Sequence, residues 1–209
     1  MKEEKKRISH INIWIILTLF TIPILILIII IFFRHSYVLT NKEVVERIKN
    51  TRMYKSEIEY TVKNSRSEYS ENIRLLYYKN MGLRIEFEKD RVKVYKNGQI
   101  FVEENGNKYE ANKGVDEVYP LADINNILSN EVLTIEEGKE EWGDKIYIKL
   151  IVKLPFENEH MDYACIFLDK ENQIPLMTQI YDVKDNERIR IKYKTFKKLK
   201  KLDKNLFWK

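Results

Sequence analysis

The segment KIYIKLIVKL, Lys145 to Leu154, is the most regular two-residue alternation in this 209-residue chain. Successive side chains of a β-strand point to opposite faces, so a strand with this pattern has one apolar face and one largely basic face. The apolar positions are Ile146, Ile148, Leu150, Val152 and Leu154, and they alternate with Lys145, Tyr147, Lys149 and Lys153. The segment therefore predicts a strand of an antiparallel sheet whose apolar face lies in the core.

The same period predicts eight further strands, separated by turns at roughly 8- to 12-residue intervals. They fall within 54–62, 69–79, 83–88, 92–94, 100–102, 161–168, 176–183 and 189–196. Asn97-Gly98 is the strongest hairpin signal between them, because both residues accept the positive φ of a type I′ turn. Met81-Gly82 and Asn105-Gly106-Asn107 predict further turns. The pattern is typical of an antiparallel meander.

Two short amphipathic helices interrupt this pattern. Thr40 and Glu43 have the spacing of a capping box, which predicts a helix start at Thr40. Its apolar residues recur at three- and four-residue spacing, and they are Val44, Val45 and Ile48. A second helix is predicted after Tyr119-Pro120, where Leu121, Ile124, Ile127 and Leu128 share one face, and it ends near Ser129-Asn130.

Residues 11–33, INIWIILTLFTIPILILIIIIFF, form an uncharged run of 23 residues. As a helix this run would be about 34 Å long, enough to cross a hydrocarbon core of roughly 30 Å. Four basic residues lie before the run and only Arg34 directly after it, so the positive-inside rule places the N-terminus in the cytoplasm. We predict a signal anchor that is not cleaved. A cleaved signal peptide is the alternative, but no small-x-small cleavage site follows Phe33.

These elements predict an α+β protein of four segments. They are a basic cytoplasmic tail (1–10), a single-pass transmembrane signal anchor (11–33), a hinge (34–39) and an extracytoplasmic domain (40–209). We expect the domain to be one curled antiparallel sheet, a half-barrel, with the two short helices on its concave apolar face. That arrangement buries every apolar stripe at once.

The charge distribution excludes a nucleic-acid-binding function. The net charge of +5 arises beside the apolar run, and from His35 onward 32 basic residues face 30 acidic ones. A nucleic-acid-binding domain needs a basic face that neutralises phosphates. The single cysteine, Cys165, has no partner for an internal disulfide and lies in an apolar run, so we expect it to be a buried hydrophobic residue.

No set of residues predicts catalysis. His10, His35 and His160 are the only histidines, and two of them flank the apolar run, so neither a histidine-based triad nor a metal site is expected. We interpret Glu136-Glu137 and Glu140-Glu141 as a solvated loop. We therefore predict a non-enzyme without catalytic, cofactor-binding or metal-binding residues. The residues that bind a partner are not identified by the sequence.

The C-terminal region combines a basic run with an apolar end. The run Lys197-Lys198-Leu199-Lys200-Lys201 is interpreted as a solvated surface, with contact to anionic lipid headgroups as the alternative. Leu206, Phe207 and Trp208 are expected to pack back onto the sheet.

The segment LDKENQIPL, Leu168 to Leu176, carries a family resemblance. Together with Tyr181-Asp182, the strand Ile189 to Tyr193 and the closing Asn205-Leu206-Phe207, it resembles the outer-membrane lipoprotein carrier (LolA/LolB-like) superfamily. Within that superfamily the chain is most similar in pattern to GerS-related germination lipoproteins of spore-forming clostridia. The resemblance covers roughly residues 40–207. It departs from a lipoprotein in lacking a cysteine after the apolar run, so the transmembrane helix would replace the lipid.

The resemblance implies a curled half-barrel and a binding function. Carriers of the superfamily hold acyl chains in the concave cavity, whereas GerS-like proteins support a spore-cortex amidase. We therefore expect a membrane-anchored accessory protein of the cell or spore envelope, with a peptidoglycan (N-acetylmuramoyl-L-alanine) amidase as its partner. The alternative is a protein that binds or senses a lipid or lipoprotein through the apolar cavity. A filled cavity favours the first function and an open apolar pocket the second.

Overall fold

A computed structural model describes residues 19–31, 38–88, 90–112, 114, 116–139, 146–156 and 159–207. The chain forms two compact units, Met1–Leu39 and Thr40–Lys209. In the first unit, residues 19–31 form a helix, α1. Among the described residues, no helix has the length and hydropathy needed to cross a membrane. The predicted span at 11–33 extends beyond the described residues at both ends and stays a prediction.

The described residues of the second unit form one sheet, two α-helices and two short 3-10 helices. The α-helices are α2 (Asn41–Lys49) and α3 (Ile124–Leu128), and the 3-10 helices are Tyr119–Ala122 and Lys204–Leu206. The strands are β1 (Met53–Lys63), β2 (Glu68–Tyr78), β3 (Gly82–Phe87), β4 (Arg91–Lys96), β5 (Gln99–Glu104), β6 (Asn107–Asn112), β7 (Val132–Gly138), β8 (Tyr147–Lys153), β9 (Tyr163–Asp169), β10 (Ile174–Tyr181) and β11 (Glu187–Lys198).

The strands form a single open, curled sheet in the order β6-β5-β4-β3-β2-β1-β11-β10-β9-β8-β7. Every neighbouring pair is antiparallel. Two hairpin meanders therefore extend outward from a central pair, in which the first strand of the unit lies beside its last. The predicted curled antiparallel sheet is confirmed, although it has eleven described strands where the sequence predicted nine.

Both strands that the sequence analysis missed are edge strands. β6 is polar and mostly exposed, so it lacks the apolar alternation that identifies a half-buried strand. In β7 the pairing register shifts between Val132 and Thr134, and this bulge breaks the two-residue period. The Asn105-Gly106 turn was predicted, and both residues have positive φ, 52° and 78°. It forms a two-residue hairpin loop into β6.

Helix α2 begins as predicted. The backbone N–H of Thr40 donates to Glu43 Oε2 at 2.8 Å, and the Glu43 N–H donates to Thr40 Oγ1 at 3.3 Å. Val44, Val45 and Ile48 are buried. The helix packs against α3 and β7, so its apolar face is received by the other helix and by the sheet.

The second predicted helix is divided in two. Tyr119–Ala122 is a 3-10 helix and α3 begins only at Ile124. Between them Asp123 is extended, with φ −77° and ψ 103°, and its carboxylate accepts the N–H of Asn125 at 3.0 Å. Asp123 therefore caps a new helix instead of continuing the first one.

The C-terminal tail packs on the sheet face opposite α3, which we call the outer face. Phe207 is 1% exposed and forms a cluster with Leu76 and Val94. The guanidinium of Arg84 donates to the carbonyl of Leu206 at 2.9 Å. The predicted return of Leu206 and Phe207 to the sheet is confirmed, and Trp208 lies outside the described residues.

Replacing Phe207 with alanine should destabilise the domain by about 3 kcal/mol, because the change empties a buried aromatic site in this cluster. Urea denaturation of the detergent-solubilised chain, followed by near-UV circular dichroism, measures the loss. The control Lys204→Ala changes an exposed residue of the same tail and should shift the stability by less than about 0.5 kcal/mol. Equal stability of the two variants would contradict the packing described for the tail.

Candidate partner-binding site

The sheet face that receives α3, the inner face, is filled by the chain itself. Ile58, Leu75 and Ile85 lie on this face at the centre of the sheet, and each is 0% exposed. The three apolar residues of α3 are equally buried, and they are Ile124, Ile127 and Leu128. Apolar side chains from the sheet and from the helix thus cover one another at the position where a carrier would need an open cavity.

Three tyrosine hydroxyls attach residues 116–128, the inner segment, to the two central strands. Tyr54 of β1 donates to Asp123 Oδ1 at 2.7 Å, and Tyr60 of the same strand donates to the carbonyl of Val118 at 2.7 Å. Tyr193 of β11 donates to the carbonyl of Ala122 at 3.4 Å. Tyr54 and Tyr60 are each at most 1% exposed. Hydrogen bonds in such a dry environment fix the segment, because an unpaired buried hydroxyl or carbonyl is costly.

A charged network holds the start of the inner segment against β2 and β4. Asp116 Oδ2 accepts from Lys93 Nζ at 2.5 Å and from the Tyr95 hydroxyl at 2.7 Å. The Tyr119 hydroxyl donates to Glu71, and Arg91 Nη2 forms an ion pair with the same carboxylate at 3.4 Å. These groups are mostly buried, so removing one partner would leave a desolvated charge.

Burial keeps the tyrosines of this network protonated. Desolvation, together with the hydrogen bond to Asp116, raises the pKa of Tyr95 far above its usual value. Desolvation and the hydrogen bond to Glu71 also raise the pKa of Tyr119 well above its usual value. Both side chains therefore remain hydroxyl donors to carboxylates at any physiological pH.

Asp123 is a buried carboxylate of the inner segment, and its pKa is raised. Desolvation raises the pKa to about 6, against the opposing effect of hydrogen bonds from Tyr54, Asn125 and Asn126. An aspartate in an unfolded chain has a pKa of about 3.9. The folded state therefore binds the Asp123 proton more tightly than the unfolded chain does. This protonation stabilises the folded state fully below about pH 4, and the stabilisation is lost as the pH rises through about 6.

Replacing Asp123 with asparagine should remove that loss of stability between about pH 4 and about pH 7, because the amide does not titrate. Urea unfolding midpoints of the parent and the variant at the two pH values measure the difference. Tyr54→Phe should shift the loss to higher pH, since the hydrogen bond from Tyr54 lowers the pKa of Asp123. If the Asp123→Asn variant keeps the parent's pH dependence of stability, the loss of stability is not due to the titration of Asp123.

The outer face of β1, β2 and β3 carries an open depression of about 350 Å³. Its charged wall contains an ion pair, Arg74 Nη1 to Glu86 Oε2 at 3.4 Å, and the Lys194 ammonium donates to Asn72 Oδ1 at 2.6 Å. The lining residues on the outer face are Glu57, Asn72, Arg74, Glu86, Glu88 and Lys194. The strand positions Ile58, Ile73 and Phe87, whose side chains belong to the inner face, complete the lining. A shallow surface with both signs of charge suits a protein partner better than an acyl chain.

The residues singled out in the sequence do not form a reactive site within the described part of the chain. Cys165 is buried at 5% exposure beside Tyr147 and Phe167, as predicted. His160 lies on the surface, and His10 and His35 fall outside the described residues. Among the described residues, no group of three or more His, Cys, Asp or Glu side chains is arranged to hold a metal ion.

The predicted acidic loop is wrong in its first half. Glu136 and Glu137 belong to β7, and Glu137 pairs with Lys170 at 2.5 Å, which lowers the pKa of its carboxyl. The bulge between Val132 and Thr134 hides the two-residue period of β7, so the sequence pattern predicts a loop at these acidic residues. Glu140 and Glu141 lie outside the described residues.

A known protein family matches nearly the whole chain. Residues 12–207 match the model of a family described as sporulation protein YdcC-like. No curated protein sequence matches the chain. The relation to sporulation proteins that the resemblance implies is confirmed by this family match.

Several solved structures are similar to this one. An uncharacterized conserved protein from Thermus thermophilus is 13% identical, with a TM-score of 0.52 over 79% of this chain and 91% of that one. A LolA superfamily protein from Nitrosomonas europaea is 10% identical, with a TM-score of 0.46 over 82% and 98%. A chain of the complex between the CwlD amidase and the GerS lipoprotein of Clostridioides difficile is 17% identical, with a TM-score of 0.45 over 78% and 98%.

Proposed function

Because the chain belongs to the YdcC-like sporulation protein family, we propose that it is a membrane-anchored, extracytoplasmic accessory protein that binds a protein of the cell envelope. Residues 11–33 form the anchor in this proposal, residues 1–10 remain in the cytoplasm and residues 40–209 form the binding domain. The partner is a peptidoglycan amidase of the spore cortex, and the chain itself has no catalytic role.

One observation supports protein binding over lipid binding most directly. The inner segment fills the inner face, and hydroxyls of both central strands hold it there. An acyl chain could enter only if the Asp116 and Glu71 network broke as well, which would leave buried charges unpaired. A surface of the closed domain is therefore the better binding site.

We assign the partner to the outer depression of β1, β2 and β3. Arg74 is 58% exposed and Lys194 is 44% exposed, so both can pair with a partner's carboxylates. Exposed ion pairs such as Arg74–Glu86 contribute only about 0–1 kcal/mol to stability. Reversing these two charges should therefore change binding without unfolding the domain.

The full chain, tagged at its N-terminus and solubilised from membranes of sporulating cells, should co-purify with a cortex amidase in stoichiometric amount. The double variant Arg74→Glu, Lys194→Glu should lower the amidase recovered about tenfold or more, because charge reversal at an interface costs several kcal/mol. Mass spectrometry of the eluted proteins and lipids measures the amount of amidase and of acyl lipid recovered with the parent and with the variant.

The matched control is Lys108→Glu, Lys184→Glu, which makes the same charge change on β6 and in the turn between β10 and β11. It should retain the amidase. Acyl lipid recovered without a protein partner would overturn the proposal and favour the lipid-binding alternative. Amidase recovered equally with both variants would leave the accessory role in place and contradict the assignment of the outer depression.

A further inference from the structure

Nine basic residues from separate elements meet at one end of the sheet, and we call this end the basic pole. Hydrogen bonds and strand pairing bring them together: Lys55 lies opposite Lys197 in the β1–β11 ladder, and the N–H of Lys79 donates to the carbonyl of Arg52 at 2.9 Å. The nine residues are Arg47, Lys49, Arg52, Lys55, Lys79, Lys197, Lys198, Lys200 and Lys201. The C-terminal lysine run is therefore part of a larger surface.

The charges of the basic pole are not balanced locally. None of the nine residues forms an ion pair with an acidic residue in the described part of the chain. The described acidic residues nearest to it in the chain and the sheet are Glu46, Glu57 and Asp203, and Glu46 is engaged by the Asn50 amide at 3.0 Å. All of the nine except Lys49 are exposed.

Two features show that the positive charges act on one another. Lys55 and Lys197 are directly opposite, where an unlike pair would stabilise the ladder and a like pair destabilises it. Partial burial and the nearby Arg47 lower the pKa of Lys198. A surface that carries such repulsion becomes more stable when an anionic partner covers it.

We propose that the basic pole binds the surface of an anionic lipid bilayer. The nine charges are spread over a helix end, three strand ends and the tail, so they suit a field of many headgroups better than a single anion in a pocket. Seven of the nine are lysines, whose compact, mobile charges need no fixed bidentate geometry. The proposed partner is the bilayer surface. A soluble polyanion is the alternative partner, and the experiment below distinguishes between the two.

The chain length agrees with this assignment. The six residues 34–39 can span about 20 Å when extended, whereas the nine residues of α2 are about 13 Å long. An anchor ending at Phe33 therefore leaves enough chain for either end of α2 to reach the bilayer. The inference rests on the membrane anchor of the proposed function and not on the amidase.

The full chain in lipid nanodiscs tests the proposal by amine labelling and mass spectrometry. In discs with roughly a third phosphatidylglycerol, Lys55, Lys79, Lys197 and Lys200 should react several-fold more slowly than in phosphatidylcholine discs. High salt should remove the difference, because it screens exposed charges. Lys108 and Lys184, outside the basic pole, should react equally in both discs.

The variant Lys197→Glu, Lys200→Glu, Lys201→Glu should abolish the protection of the unchanged Lys55 and Lys79. The matched variant Lys108→Glu, Lys184→Glu, Lys192→Glu makes the same charge change and should keep it. Equal labelling in the two kinds of disc, or protection that persists in the first variant, would overturn the proposal. Protection by soluble polyphosphate as strong as that by phosphatidylglycerol would also overturn it, in favour of a polyanion.

A separate experiment tests whether residues 11–33 anchor the chain. It measures whether alkaline treatment extracts the chain from neutral lipid discs. A chain that is extracted contradicts the anchor in the proposed function. Flotation of that same chain with phosphatidylglycerol vesicles then tests the basic pole alone, and absence of flotation would overturn the pole as well.

Discussion

The pairing of β1 with β11 is the interaction on which the rest of the domain depends. It joins the two ends of the unit at the centre of the sheet, with a bulge between Glu57 and Ile58, and each meander extends outward from it. The same two strands supply the tyrosine hydroxyls that hold the inner segment. They also bring Lys55 beside Lys197. The core, the closed inner face and the basic pole therefore have a common origin.

The inner face shows how a curled sheet can exclude a ligand. Its apolar residues are covered by α3, and its polar contacts are concentrated where the inner segment crosses the central strands. Apolar burial and hydrogen bonds to the central strands therefore act together to hold the inner segment in place.

The sequence predicted those parts of the fold in which a local pattern and the tertiary environment agree. The capping box at Thr40, the Asn97-Gly98 turn and the nine half-buried strands are such cases. Edge strands β6 and β7 were missed because an edge need not bury one full face, although Asn105-Gly106 already indicated a hairpin. The helix predicted across Leu121 and Ile124 passed over Asp123, whose contact with Tyr54 joins residues 69 positions apart. No local pattern contains such a contact, and the same holds for the basic pole.

The position of β11 beside β1 has a consequence for biogenesis. The central ladder cannot be completed until β11 has been synthesised, since nearly the whole domain separates this strand from its partner, β1. Contacts of such large sequence separation fold late and slowly. Each meander pairs strands that are adjacent in sequence, so its hairpins can form during synthesis, whereas the central ladder closes last.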